Sequence, residues 1–241
     1  MGSISPPVPS RVSPLHGSRL YLCGLVVGSV FFGGHGRALA APLSVGWTIA
    51  SLSFPTAYSF GWVKPFPGFL GFLHFSAGVP AIDHPVQFLR VMGSPGIEKI
   101  LFGGFPQPWG NSLPLVLLLC GLVVLLFQAV DFTTAVSFFL TMGVLNTVLW
   151  FVLPGKIPSP DGLWVGDFLF AGFFVLSDLR TAARTREGRF VTGVLAGFLA
   201  FLIRFFAASP DGAYFAVLAT NSFCPLIDEA FLTWSVPEAK K

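Results

Sequence analysis

The sequence predicts an all-α, polytopic membrane protein with about seven or eight transmembrane or re-entrant segments. Three observations carry that prediction. The 241-residue chain is 54% hydrophobic and only 10% charged, with a mean hydropathy of +0.76. Soluble domains carry roughly a quarter charged residues, so this chain lacks the polar surface to cover a water-facing sphere. Several uninterrupted apolar runs reach the ~20 residues that a helix needs to cross the hydrocarbon core. Loops rich in proline, glycine and charge separate those runs.

In order, residues 1–19 are rich in Pro and Ser and read as a disordered tail. Residues 20–234 read as a single membrane domain and 235–241 as a cytoplasmic tail. The run Leu20–Phe32 followed by Ala38-Leu39-Ala40-Ala41 imitates a secretory signal with a small-residue cleavage site. The next span follows at once, which favours a first membrane segment. That second span, Ala38–Trp62, has Pro42 near its start and Pro55 inside, where a kink is expected.

Residues 64–112 are interrupted by Gly and Pro. Phe66–Ala77 fits either a re-entrant segment or a loop lying on the bilayer, since irregular backbone at depth needs protein cover. Val86–Met92 fits a short interfacial helix with Arg90 towards the headgroups. Leu113–Val130 is the clearest span, with Asn111 or Ser112 placed to cap it. Asp131 marks a turn, and Phe132–Leu153 returns with Thr133 and Thr134 in its first turn. The loop 154–162 is turn-rich. Leu163–Ser177, Arg189–Ala207 and Ala213–Trp234 complete the set.

Lys and Arg in short loops set orientation. The loop Asp178–Arg189 carries Arg180, Arg184, Arg186 and Arg189, so it and the C-terminus are expected in the cytoplasm and the turn at 209–212 outside. The same arginines are candidates to dock a partner or a phosphate. Four arginines beside a membrane helix follow from topology and give nucleic-acid binding no support.

Asn146, Asp167, Arg204, Asn221 and Asp228 lie in or near the spans. A charge at the bilayer centre costs about 3 kcal/mol on insertion scales, so such residues usually face the bundle interior. Arg204 and Asp228, near span ends, are also open to snorkelling or capping, and Asp167 to an exposed cap. Asn221 lies deeper and calls for a hydrogen-bonding partner. The Phe201/Phe205 stripe reads as packing or lipid-facing. Cys23, Cys120 and Cys224 are far apart in apolar runs, and His16, His35, His74 and His84 share no ligand spacing, so metal or iron–sulfur binding by this chain is not expected. No phosphate-binding loop, dinucleotide fingerprint or nucleophile elbow is present.

The run Phe170–Asp178, then Gly188-Arg189, Gly193, Leu202-Ile203-Arg204, Pro210-Asp211-Gly212, Phe215–Leu218, Asn221 and Pro225–Asp228 resembles the RnfD/NqrB family. Its members are membrane subunits of Rnf-type electron-transport complexes and of the sodium-pumping NADH:quinone oxidoreductase. The agreement covers about 70 residues and joins several helices with both intervening loops; the spans at 111–153 are compatible with it. The resemblance implies a urea-transporter-like fold in reduced form, since family members are longer, and a place in the bacterial inner membrane among other membrane subunits.

It also implies a flavin, FMN or riboflavin. The family's attachment threonine lies in an SGAT-type motif, whereas the matching stretch here reads Arg90-Val91-Met92-Gly93-Ser94-Pro95-Gly96 and has no threonine. The flavin is therefore expected to be non-covalent, not covalent FMN. The family's TDP becomes Ser177-Asp178-Leu179. By matching position, Asp178, Arg189, Arg204, Asn221 and Asp228 are the cofactor-contact candidates, with no catalytic constellation and no metal site. The leading expectation is an RnfD-like subunit of an electron-transport complex. The alternatives are a non-catalytic assembly subunit of a larger membrane complex, or a small-solute transporter or channel.

Overall fold

The computed structural model describes residues 22, 26–30, 33–34, 37–38, 40–53, 62–63, 96–105, 107–108, 111, 113–153, 160–206 and 212–235. The disordered tail, the Pro55 kink, the Phe66–Ala77 and Val86–Met92 segments, Ser94 and residues 209–211 and 236–241 lie outside them. The described helices are α1 (Pro42–Ser53), α2 (Ile97–Leu101), α3 (Pro114–Leu126), α4 (Phe132–Val152), α5 (Phe168–Phe170), α6 (Arg186–Phe206) and α7 (Gly212–Ser235). Two short antiparallel pairs, Gly33–Gly34 with Arg37–Ala38 and Trp62–Val63 with Gln107–Pro108, are the described β structure.

Three helices are long and apolar enough to cross a membrane: Phe132–Val152, Arg186–Phe206 and Gly212–Leu232. Each of these spans holds 21 residues, or about 30 Å of helix, which matches a hydrocarbon core. This is an integral, all-α membrane protein.

Helix α6 sits between α4 and α7. Asp131, just before α4, pairs with Arg189 in the first turn of α6, so those two helices start at the same end and run together. The Asp228 carboxylate meets the backbone of Arg184 while Gly212 abuts Ile203, so α7 runs opposite to α6. The α4–α6 crossing is close because Gly193 and Gly197 face α4. A Cβ on Gly193 would overlap Ser137 Oγ and lie 2.5 Å from the Thr134 carbonyl, and one on Gly197 would lie 2.9 Å from the Phe138 carbonyl. Small residues four apart let helix backbones approach in lipid, where association rests on packing rather than on the hydrophobic effect. The core beside this crossing holds Phe138, Met142, Ala196, Ala200, Phe201 and Val217. The Phe201/Phe205 stripe is thus packing: both rings are buried and stack at 4.6 Å. Helix α1 closes one side, with Trp47 stacked on Tyr214 at 4.8 Å.

The expected span Leu163–Ser177 is not one helix. A 3₁₀ turn at Pro160–Trp164 ends in Gly166 at φ 94°, then α5 runs into a π-helix, Ala171–Leu176. The left-handed conformation at Gly166 breaks the helix, and glycine adopts it at little steric cost. The π segment is wedged between helices: a Cβ on Gly172 would strike Phe138 and Phe139, and the Phe173 ring lies against Gly121 of α3. The Ser177 hydroxyl donates to the carbonyls of Gly172 and Phe173, at 2.6 and 2.7 Å, satisfying acceptors that the wider π turn presents.

Candidate functional site

The buried polar residues collect at the two ends of the bundle. At the arginine-loop end, Asp131 caps α4 by accepting from the Thr134 N–H at 2.8 Å, the preferred N-cap chemistry. Capping therefore falls to Asp131, not to Thr133. The other carboxylate oxygen of Asp131 takes Arg189 Nη1 at 3.0 Å, and Arg189 Nε donates to the Ala183 carbonyl at 2.8 Å. The Asp131 N–H donates to the Ser177 carbonyl at 2.9 Å. From α7, Asp228 accepts the Arg184 N–H at 2.8 Å. Thr185 Oγ1 accepts the Gly188 N–H, 3.1 Å, and starts α6 three residues earlier than the sequence suggested. Loop 177–189 is thus sewn to α4 and α7. Asp178 pairs with Arg180 at the surface, its hydrogen bond and then its charge raising the Arg180 pKa above the ordinary value. That pair is exposed, so it adds at most about 1 kcal/mol.

At the opposite end, Arg204 in the last turn of α6 is 3% exposed, so it does not snorkel. Its Nη2 donates to the Val165 carbonyl at 2.6 Å, and its guanidinium lies 4.2 Å from the Phe168 ring centroid. Asn111 does not cap α3, whose first turn has Pro114 and no side-chain cap. Instead Asn111 Nδ2 reaches across to the Gly166 carbonyl at 3.2 Å and the Asp167 carboxylate at 2.6 Å. Gln107 accepts from the Gly166 N–H at 2.9 Å and donates to the Trp164 carbonyl at 3.4 Å. Asp167, expected as an exposed cap, is buried by these contacts. Gln107 and Asn111 are the functional-end residues that sequence reading passed over; their only signal was polarity inside a Gly/Pro-rich stretch.

The structure does not bring the five cofactor candidates together. Asp178, Arg189 and Asp228 share the arginine-loop end. Arg204 is fifteen residues along α6 from Arg189, or about 22 Å at 1.5 Å per residue. Asn221 lies between the ends on α7, is 1% exposed, and its Nδ2 has no hydrogen-bond partner among the described residues. Asp131, Ala183 and Arg184 occupy the polar atoms of Arg189 and Asp228. A groove of about 360 Å³ between α6 and α7 is lined by Val191, Leu195, Phe223, Leu226, Ile227, Ala230 and Phe231. It offers no polar side chain to an isoalloxazine edge or a phosphate. As a set, therefore, the five residues do not fit one flavin. Among the described residues no group of three or more His, Cys, Asp or Glu is placed to hold a metal ion.

Known proteins share this sequence from end to end of the bundle. The profile described as the NQR2, RnfD, RnfE family matches residues 8–234. The chain is 33% identical over 236 aligned residues to the RnfD component of the ion-translocating oxidoreductase complex of Cronobacter sakazakii, covering 85% of this chain and 67% of that protein. It is 30% identical to the proteins of the same description from Yersinia pseudotuberculosis and Klebsiella pneumoniae, covering 86% and 85% of this chain and 67% of each of those proteins. The match runs through α4, α6 and α7 and both polar ends, and so the chain belongs to the NQR2, RnfD, RnfE family.

Proposed function

We propose that this protein serves as an RnfD-type membrane component of an ion-translocating oxidoreductase complex. The supporting observation is family membership over nearly the whole chain, with relatives of that description covering 85% of it. We place it in a bacterial inner membrane with loop 178–189 and the C-terminus in the cytoplasm, on the arginine content of that loop. Its contribution is positional: three crossing helices hold two polar ends at fixed depths, and other membrane subunits of the complex pack around them. A flavin in this reading is bound non-covalently, with partner subunits supplying much of its surroundings, because the five matched residues do not converge. The protein's task toward such a group is placement and electrostatics.

The test is purification from the native membrane. Fixed-ratio co-purification with further membrane subunits, and a flavin absorption band released entirely by acid precipitation, is the expected result. A chain that purifies alone and colourless sinks the reading. One observation favours a second reading, a non-catalytic assembly subunit: the charged groups at the arginine-loop end are largely occupied by protein partners. A colourless chain at fixed ratio within a larger complex would decide for it.

A further inference from the structure

We propose that α7 holds an ordered water molecule deep in the membrane, bound at Asn221 where Pro225 interrupts the helical ladder. Two independent observations point to it. The Asn221 side chain is 1% exposed and its Nδ2 donor has no partner among the described residues. Pro225 stands inside α7 and has no N–H, so the carbonyl four residues earlier, that of Asn221 itself, lacks its helical donor. One residue therefore presents a buried donor and a released acceptor. Helices in membranes tolerate proline because ordered water or neighbouring side chains re-satisfy the freed group.

The surroundings decide the kind of occupant. Thr192 of α6 contacts Cys224 of α7, 3.8 Å between Oγ1 and Sγ, and Gly212 abuts Ile203 near the other end. This antiparallel register sets Asn221 level with Ala196, whose methyl offers no acceptor and takes little space. The hydroxyl of Thr220, beside it, is already spent on the Ala216 carbonyl at 2.8 Å. Near-complete burial leaves no approach for a partner subunit's side chain, a lipid headgroup or a flavin. An occupant that accepts from an amide, donates to a carbonyl and fits beside an alanine is water, which typically makes two to four such bonds when buried. Water entering a helical ladder beside a proline also makes a bend point. The site thus forms a hydrated joint between the Gly212–Asn221 and Pro225–Ser235 halves of α7. It stands whether or not the proposed place in a complex holds.

A density map of the full chain in its native assembly, at a resolution that shows ordered water, tests this directly. The expected result is one density peak about 2.8 Å from both the Asn221 amide and its carbonyl. It should disappear in Asn221→Leu and weaken in Pro225→Ala, which restores the helical N–H. Hydrogen exchange gives a second readout that does not need a map. Backbone amides just after Asn221 should exchange faster than those at matching depth in α6, and Pro225→Ala should slow them by about tenfold. Absence of the peak, a protein or lipid acceptor on the Asn221 amide, or exchange unchanged by Pro225→Ala overturns the proposal.

Discussion

Asp131 shows how one side chain serves several elements. It caps α4, neutralises Arg189, and its backbone N–H ties the end of the π segment to the same point. Its carboxylate is 6% exposed while Arg189 is a third exposed, so removing it strips a cap and leaves a partly buried cation. Asp131→Ala is expected to cost about 2 kcal/mol, near the sum of a lost cap and a half-buried broken pair. Thermal unfolding in detergent measures it, and adding Arg189→Gln should recover part of the loss; strict additivity of the two would contradict the pairing. At the other end, Asn111→Leu removes a donor from the buried Asp167 carboxylate and from the Gly166 carbonyl. Bonds to charged groups contribute about 1.5–3 kcal/mol, so a loss of that size is expected. A variant as stable as the parent would show that the bond carries nothing.

Among the elements, the α4–α6 crossing is the one most exposed to single changes. Gly193→Ala places a methyl 2.5 Å from the backbone carbonyl of Thr134, which cannot rotate away. The helices must separate, and the loss should exceed the roughly 1 kcal/mol that alanine gains over glycine in a helix. Gly143→Ala is the matched control. Its methyl would meet only Leu163 Cδ1, at 4.0 Å, so that variant should be neutral or more stable by up to about 1 kcal/mol. Equal effects at the two glycines would sink the close-packing account. The π segment makes the same point from the other side. Ser177→Ala withdraws one hydroxyl from two carbonyls. Faster hydrogen exchange over residues 171–177 is the expected outcome, since their backbone acceptors lose that donor.

For the whole molecule, the two polar ends lie at opposite ends of the crossing helices, which makes orientation measurable. Arg186 is exposed at the start of α6. In a variant without native cysteines, Arg186→Cys should react with a membrane-impermeant thiol reagent in inside-out vesicles and not in right-side-out ones. Reaction from the other face would reverse the orientation read from the arginine loop.

Composition and run length determined the class of this protein, because about 30 Å of hydrocarbon leaves a chain few ways to satisfy its backbone. The spans at 132–152, 186–206 and 212–232 were legible for that reason, and the matched run from Phe170 to Asp228 was enough to name the lineage. The Gly193–Gly197 spacing was also in plain view and could have signalled the α4–α6 crossing. Only the tertiary structure decided where the polar residues point. Asn111 looked like a cap and is a tie to Asp167; Arg189 and Asp228 looked like ligand contacts and are loop anchors; Asn221 called for a protein partner and has none among the described residues. Hydropathy reports how much of a segment is apolar, whereas the partner of a buried polar atom depends on which helices are neighbours and in what register. Side-chain bonds spanning more than fifty residues in sequence, such as Asp131 to Arg189 and Asn111 to Asp167, carry no local signal at all.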